Sequence, residues 1–163
     1  AGTARPDTEY RERAEPYRGG GPHRVEVNAR YAPKADLELP AQWTADLISG
    51  GPRPRLVACV YQESVGTRKK LDDCLYTHLG MGAQRLSRVD PKHATKVALL
   101  KARYIIGLYE ATTARPIDRI EVPGDELCPS QYEVDSGGSV FDLPDMKKLH
   151  AALRPYVERT VSA

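Results

Sequence analysis

The chain has 163 residues, 40% hydrophobic and 28% charged, with 13 Gly and 13 Pro, which fits one loop-rich globular domain rather than several. Its 24 basic and 22 acidic residues leave a net charge of +2, too little for the phosphate affinity on which most nucleic-acid binders rest. No run reaches the roughly 18–20 apolar residues of a membrane helix, and AGTARPDTEYRERAEPYRGGG lacks the apolar centre of a signal peptide. A processed exported protein would read the same way, and contact with a membrane would then need a missing anchor or a partner.

Residues 1–24 are polar and broken by Pro6, Pro16, Gly19, Gly20, Gly21 and Pro22, which predicts an extended arm or linker ahead of a single domain at 25–163. Tyr10 and Tyr17 are large apolar groups with which such an arm could wrap a partner. HRVEVNARY then alternates Val25, Val27 and Ala29 against Arg24, Glu26 and Asn28, the period of a half-buried strand. LPAQWTADLI predicts a short helical turn opened by Pro40, with Trp43 and Leu47 on one face and Trp43 in the core.

RLVACVYQ is apolar at nearly every position and reads as a strand covered on both faces. LDDCLYTHL reads as the next strand, joined to it as a hairpin through SVGTRKK. TKVALLKARYIIGLYEA is expected to form one long strand, because its β-branched and aromatic tail and Gly107 weigh against a helix. A turn at 113–116 returns the chain through IDRIEV as an antiparallel partner. Residues 123–141 read as loop. Asp142 is placed as the N-cap of an amphipathic helix bearing Met146, Leu149, Leu153 and Tyr156, with Pro155 kinking or ending it. The expected architecture is α+β: a mainly antiparallel sheet of four or five strands with this C-terminal helix on one face.

The chemistry-bearing residues are few. Cys59, Cys74 and Cys128 have no metal or redox spacing. In an oxidising compartment Cys59 and Cys74 are the easiest pair to bridge, since both flank the same predicted hairpin, although three single bridges are possible. Three reduced thiols in an intracellular protein is the competing reading. His23, His78, His93 and His150 are not spaced as metal pairs and read as surface or edge residues. Asp72, Asp73, His78, Asp125 and Glu126 are the only residues from which a dispersed carboxylate and histidine site, hydrolase-like, could be assembled. No cofactor or metal motif is present: the GGG at 19–21 and the GMG at 80–82 lack the context of phosphate-binding loops.

Taken in order, LPAQW, RLVACVY, LDDCLY, the LYEATTARPI turn, GDELCP and the final amphipathic helix resemble a module of extracytoplasmic proteins from high-GC Gram-positive (actinobacterial) bacteria, over about residues 22–157. In that module the order is a valine-cysteine strand, a cysteine-tyrosine strand, an Ala-x-Thr-Gly turn and Cys-Pro, commonly behind a membrane anchor. Here Ala114 stands where the turn glycine is expected. The resemblance implies an exported, cell-envelope setting with disulfide formation and no established catalysis. The expected function is a non-enzymatic binding or assembly module for an envelope protein, or an accessory subunit of a membrane complex; the alternative is the dispersed-site enzyme.

Overall fold

The computed structural model describes residues 11–31, 37–46, 49–66, 69–79, 82–85, 94–133 and 138–162. Its elements are β1 (Val25–Tyr31), a 3-10 turn (Ala41–Trp43), β2 (Leu56–Ser64), β3 (Lys70–Leu79), β4 (Gly82–Arg85), β5 (Thr95–Leu100), β6 (Ala102–Glu110), β7 (Pro116–Pro123), β8 (Gln131–Glu133), β9 (Ser139–Phe141) and α1 (Met146–Val157). The class is α+β. In place of one sheet there are two, ordered β1-β2-β6-β7 and β8-β4-β3-β5-β9. Two compact units result: unit 1 comprises Ala1–Gln62, Tyr104–Val122 and Met146–Ala163, and unit 2 comprises Glu63–Arg103 and Pro123–Asp145.

Unit 1 is built on the first sheet. β1 and β2 run parallel, with Val25 opposite Leu56 and Asn28 opposite Cys59. Leu56 to Val60 are all at most 2% exposed, as expected of a strand covered on both faces. Val57 and Cys59 pack with Tyr109 and Ala111, flanked by Ala14 and Tyr61. Gly107 makes room for this face, since a Cβ there would lie 2.8 Å from the ring of Tyr109. β6 and β7 are joined through residues 111–115, too short a link for any but an antiparallel pair. In that turn Glu110 N–H donates to Arg115 O at 2.9 Å, and Ala114 adopts a φ of 56°.

The helix α1 buries Leu149, Leu153 and Val157 at the expected three-to-four spacing, while Met146 and Tyr156, expected on the same stripe, are half-buried. Pro155 sits inside the helix only two residues from its end, so the donor it lacks interrupts only the last turn. Trp43 is 1% exposed and meets the His150 ring edge-on at 5.8 Å, with the Arg154 guanidinium 5.7 Å from its centroid. Leu47 lies outside the described residues. Where an extended arm is expected, residues 11–24 are docked within unit 1, with Tyr17 5% and His23 0% exposed. Tyr10 lies outside the described residues.

Unit 2 holds the second sheet. β3 pairs antiparallel with β4 and β5, β4 with β8, and β5 runs parallel to β9. Its core is Cys74, Tyr76, Val97 and Leu99, with Leu71, Cys128 and Val140 against it. The expected β2–β3 hairpin is absent: β2 lies between β1 and β6, and β3 between β4 and β5.

The long run from Thr95 is two strands, and the break has a physical cause. The most deeply buried positions of β5 are odd, at Val97 and Leu99, with Leu100 at 6% exposure, but the fully buried residues of β6 are even, at Ala102, Ile106 and Leu108. A change of parity turns the opposite face inward. It falls at Lys101, whose carbonyl accepts from Val65 N–H (3.3 Å) and whose N–H donates to Lys69 O (2.9 Å). The stretch expected to be loop also contains β8 and β9, and the second glycine of GMG opens β4.

Candidate functional site

The feature of unit 2 best built for contact is the loop at 124–130, and a residue assigned to the helix holds it in place. Asp142 is not an N-cap, because α1 begins only at Met146, after Asp145. Its carboxylate is fully buried. Oδ1 accepts the N–H of Ala102 at 2.7 Å and Oδ2 the N–H of Glu126 at 3.0 Å, with Lys101 Nζ 3.8 Å away. The same carboxylate fills the space where a side chain on residue 124 would stand: a Cβ on Gly124 would come 2.1 Å from Oδ2. Glycine is required there by volume.

Burial pushes the Asp142 carboxyl above its ordinary range. The Ala102 and Glu126 N–H groups and the Lys101 charge oppose that shift, and Asp125 adds to it. Lys101 spans the loop, donating to Glu126 Oε1 at 2.8 Å and to Gly124 O at 3.4 Å. Backbone bonds complete the base: Gly124 N–H to Ala102 O (3.1 Å), Asp125 N–H to Leu143 O (2.8 Å) and Asp145 N–H to Pro123 O (2.9 Å). Glu126 is held at a φ of 63°, a left-handed conformation that non-glycine residues adopt at a cost.

The far side of the loop is fastened to β3. Cys128 forms a disulfide with Cys74 across a Cα separation of 5.7 Å, and Tyr76 donates its hydroxyl to Pro129 O at 2.8 Å. Between these supports Asp125 Oδ1 accepts Leu127 N–H at 2.9 Å. The side chain so presented is Leu127, 63% exposed and the one large hydrophobic residue exposed among those described. A single exposed leucine is ordinary on a protein surface. One held on a loop with this many fixed points is preorganised for contact, because little entropy remains to be lost on binding.

The predicted site residues divide between structural roles. The expected Cys59–Cys74 bridge is replaced by Cys74–Cys128, because the strands carrying Cys59 and Cys74 belong to different sheets; Cys59 is buried and takes no part in that bridge. That bridge brings the segments of both acidic pairs together, with Cys128 Sγ 3.9 Å from Asp73 O. Their carboxylates are nonetheless engaged. Asp72 accepts Asp73 N–H at 2.8 Å. Asp73 pairs with Lys70 (2.8 Å) and Lys96 (3.2 Å), and its acidity is raised first by the Lys70 bond. Asp125 holds Leu127, and Glu126 holds Lys101. Among the described residues no three His, Cys, Asp or Glu side chains are grouped to hold a metal ion.

His78 lies on β3 opposite Ala83, but its side chain is outside the described residues, as is all of His93. His150 is half-buried and bonds Glu38 O at 2.7 Å. His23 is neither a surface nor an edge residue: it is fully buried against Tyr17, the two rings meeting edge-on at 4.6 Å. No helix among the described residues is long and apolar enough to cross a membrane. No family model matches the chain, and neither a curated protein nor a solved structure is significantly similar to it.

Proposed function

We propose that the chain is a non-enzymatic, extracytoplasmic binding or assembly module of the cell envelope, of the kind that serves as an accessory subunit of a membrane complex. Its contact surface is the loop at 124–130. The observation that carries the reading is that this loop is fastened by a disulfide, a buried carboxylate and a tyrosine hydroxyl while it turns Leu127 outward. Disulfides persist in oxidising compartments and are rare in reducing ones, which supports export. The commitment of Asp73, Asp125 and Glu126 to local bonds supports binding over catalysis.

The test has two parts. Non-reducing peptide mapping of protein from its native source is expected to return Cys74 linked to Cys128 and Cys59 alkylated. A photo-crosslinking residue at position 127, introduced in the native envelope, is expected to capture one defined protein, while the same residue at exposed Arg119 on β7 captures none. Three free thiols would remove the compartment. A bridge with equal or absent capture at both positions would remove the loop as the contact.

A further inference from the structure

We propose that His23 is the centre of a pH-sensitive latch that fastens the N-terminal segment to the C-terminal end of α1. The contacts of the ring fix which of its nitrogens carries the proton. Arg55 Nη1 lies 3.3 Å from His23 Nδ1, and a guanidinium can only donate, so Nδ1 must be the bare nitrogen. Nε2 lies 2.9 Å from Arg159 O, and a carbonyl can only accept, so Nε2 carries the hydrogen. Both nitrogens are thereby committed to one neutral tautomer.

A second proton on Nδ1 would face the Arg55 donor, which would have to withdraw. The imidazolium would then lie fully buried beside two guanidinium groups. The charged and titratable groups around the ring offer little relief. From the N-terminal segment come Tyr17, in ring contact, and Glu15, which is taken by Arg55 at 3.3 Å. Arg24, just before β1, donates instead to Ala41 O and Thr44 O. From the position just before β2 comes Arg55. From the end of α1 come Arg159, Tyr156 and the exposed Glu158, and Tyr156 is bonded to Asp118 of β7. Burial, with the charges of Arg55 and Arg159, pulls the His23 pKa below its ordinary value, in the same sense as the geometry.

What the ring holds is a clasp between the two ends of unit 1. Gly19 and Val161 exchange backbone bonds at 2.8 and 2.9 Å, and His23 N–H donates to Val157 O at 2.7 Å. Tyr17 donates its hydroxyl to Tyr156 O and accepts from Arg159 Nε, while the Arg159 guanidinium lies 5.3 Å from the centroids of both tyrosine rings. The approach is close enough that a Cβ on Gly21 would sit 2.6 Å from Val157 O. Protonation of His23 breaks the bond to Arg55 and, although Nε2–H stays on Arg159 O, sets a buried cation beside the Arg159 guanidinium, whose repulsion frees residues 17–23 from the helix end and leaves the sheet intact. The latch stands independently of the loop at 124–130.

The test is amide hydrogen exchange read by NMR from pH 7.5 to 4.5, corrected for the intrinsic pH dependence of exchange, with the His23 ring nitrogens followed in the same samples. The Nε2–H tautomer is expected at pH 7.5. Opening at Gly19, His23 and Val161 is expected to rise by up to about tenfold per pH unit below about 6.5, while the amides of β2 and β6 hold. His23→Gln, whose amide can donate and accept in the same places but does not titrate, is expected to flatten the response. A flat wild type, an unchanged slope in the variant, or parallel loss in β2 and β6 would overturn the latch. Should the variant fail to fold, the wild-type ring decides: titration of His23 without a matching loss at the three amides overturns it as well.

Discussion

The loop at 124–130 and the clasp at residues 17–23 solve the same problem, fastening a segment that lacks regular structure, with opposite chemistry. The loop uses a covalent bond, a buried carboxylate and a lysine. The clasp uses a neutral imidazole, two tyrosines and two arginines, with no covalent link. The first therefore responds to reductant and the second to acid. Burial works against both charged forms, but the Asp142 carboxylate has Lys101 and two N–H donors to offset it, whereas a His23 imidazolium would meet two guanidinium groups.

The sharpest way to break the comparison is to cut the covalent fastening. Cys74→Ser is expected to destabilise the protein by about 2–5 kcal/mol, read from chemical denaturation under oxidising conditions, and to leave the exchange protection of Gly19 and Val161 unchanged. An unchanged denaturation midpoint would show that the bridge contributes nothing to the fold.

Next in size is the carboxylate. Gly124→Ala drives a methyl into Asp142 and is expected to cost about 3 kcal/mol. In an Asp142→Ala background, where that space is empty, the same change is expected to cost less than about 1 kcal/mol. Equal costs in the two backgrounds would mean that Gly124 is selected by backbone conformation instead.

Acid sharpens the other half. The folded-state pKa of His23 lies below its ordinary 6.5, so the folded form binds fewer protons than the unfolded chain in that window. Its contribution is complete above about pH 6.5 and is lost as pH falls through the folded value. Asp142 works in reverse: its pKa lies above the ordinary 3.8, so its term weakens stability as pH rises through that window. Thermal melts of wild type against His23→Gln between pH 7.5 and 5 are expected to converge with acidification, and a constant difference would contradict the assignment.

The smallest effect belongs to the turn after β6. Ala114 holds a φ of 56°, where a Cβ is strained, so Ala114→Gly is expected to stabilise by up to about 1 kcal/mol. A loss of stability would show that packing of the methyl, only 5% exposed, outweighs the strain.

Local pattern and long-range pairing were unequally legible in the chain. Alternation in HRVEVNARY, the unbroken apolar run RLVACVYQ and the stripe Met146, Leu149, Leu153 and Tyr156 identify their elements because each signal lies within one segment. The division into two sheets does not, because it depends on the change of inward face at Lys101, and alternating apolar residues on both sides of it continue the pattern. The bridge is misassigned for the same reason: cysteines near one loop look paired until the strands prove to have other neighbours. Asp142 resembles a cap because it precedes a helix, yet its partners are Ala102 and Glu126, 40 and 16 residues away. Only Gly124 hints at that contact, and glycine beside proline is read first as a turn. His23 follows a Gly-Gly-Gly-Pro stretch that has the composition of a linker, and only the far end of the chain, at Arg159, supplies its partner.

The bridge between Gly19 and Val161 also has a mechanical consequence. These two residues bracket nearly all of unit 1 and are joined antiparallel, so tension applied at both ends loads that bridge before it reaches the sheet. Antiparallel bonds pulled this way open in succession, as a zipper does, rather than sharing the force. Stretching would undo the clasp at low load and leave β2 and β6 unloaded until it had parted.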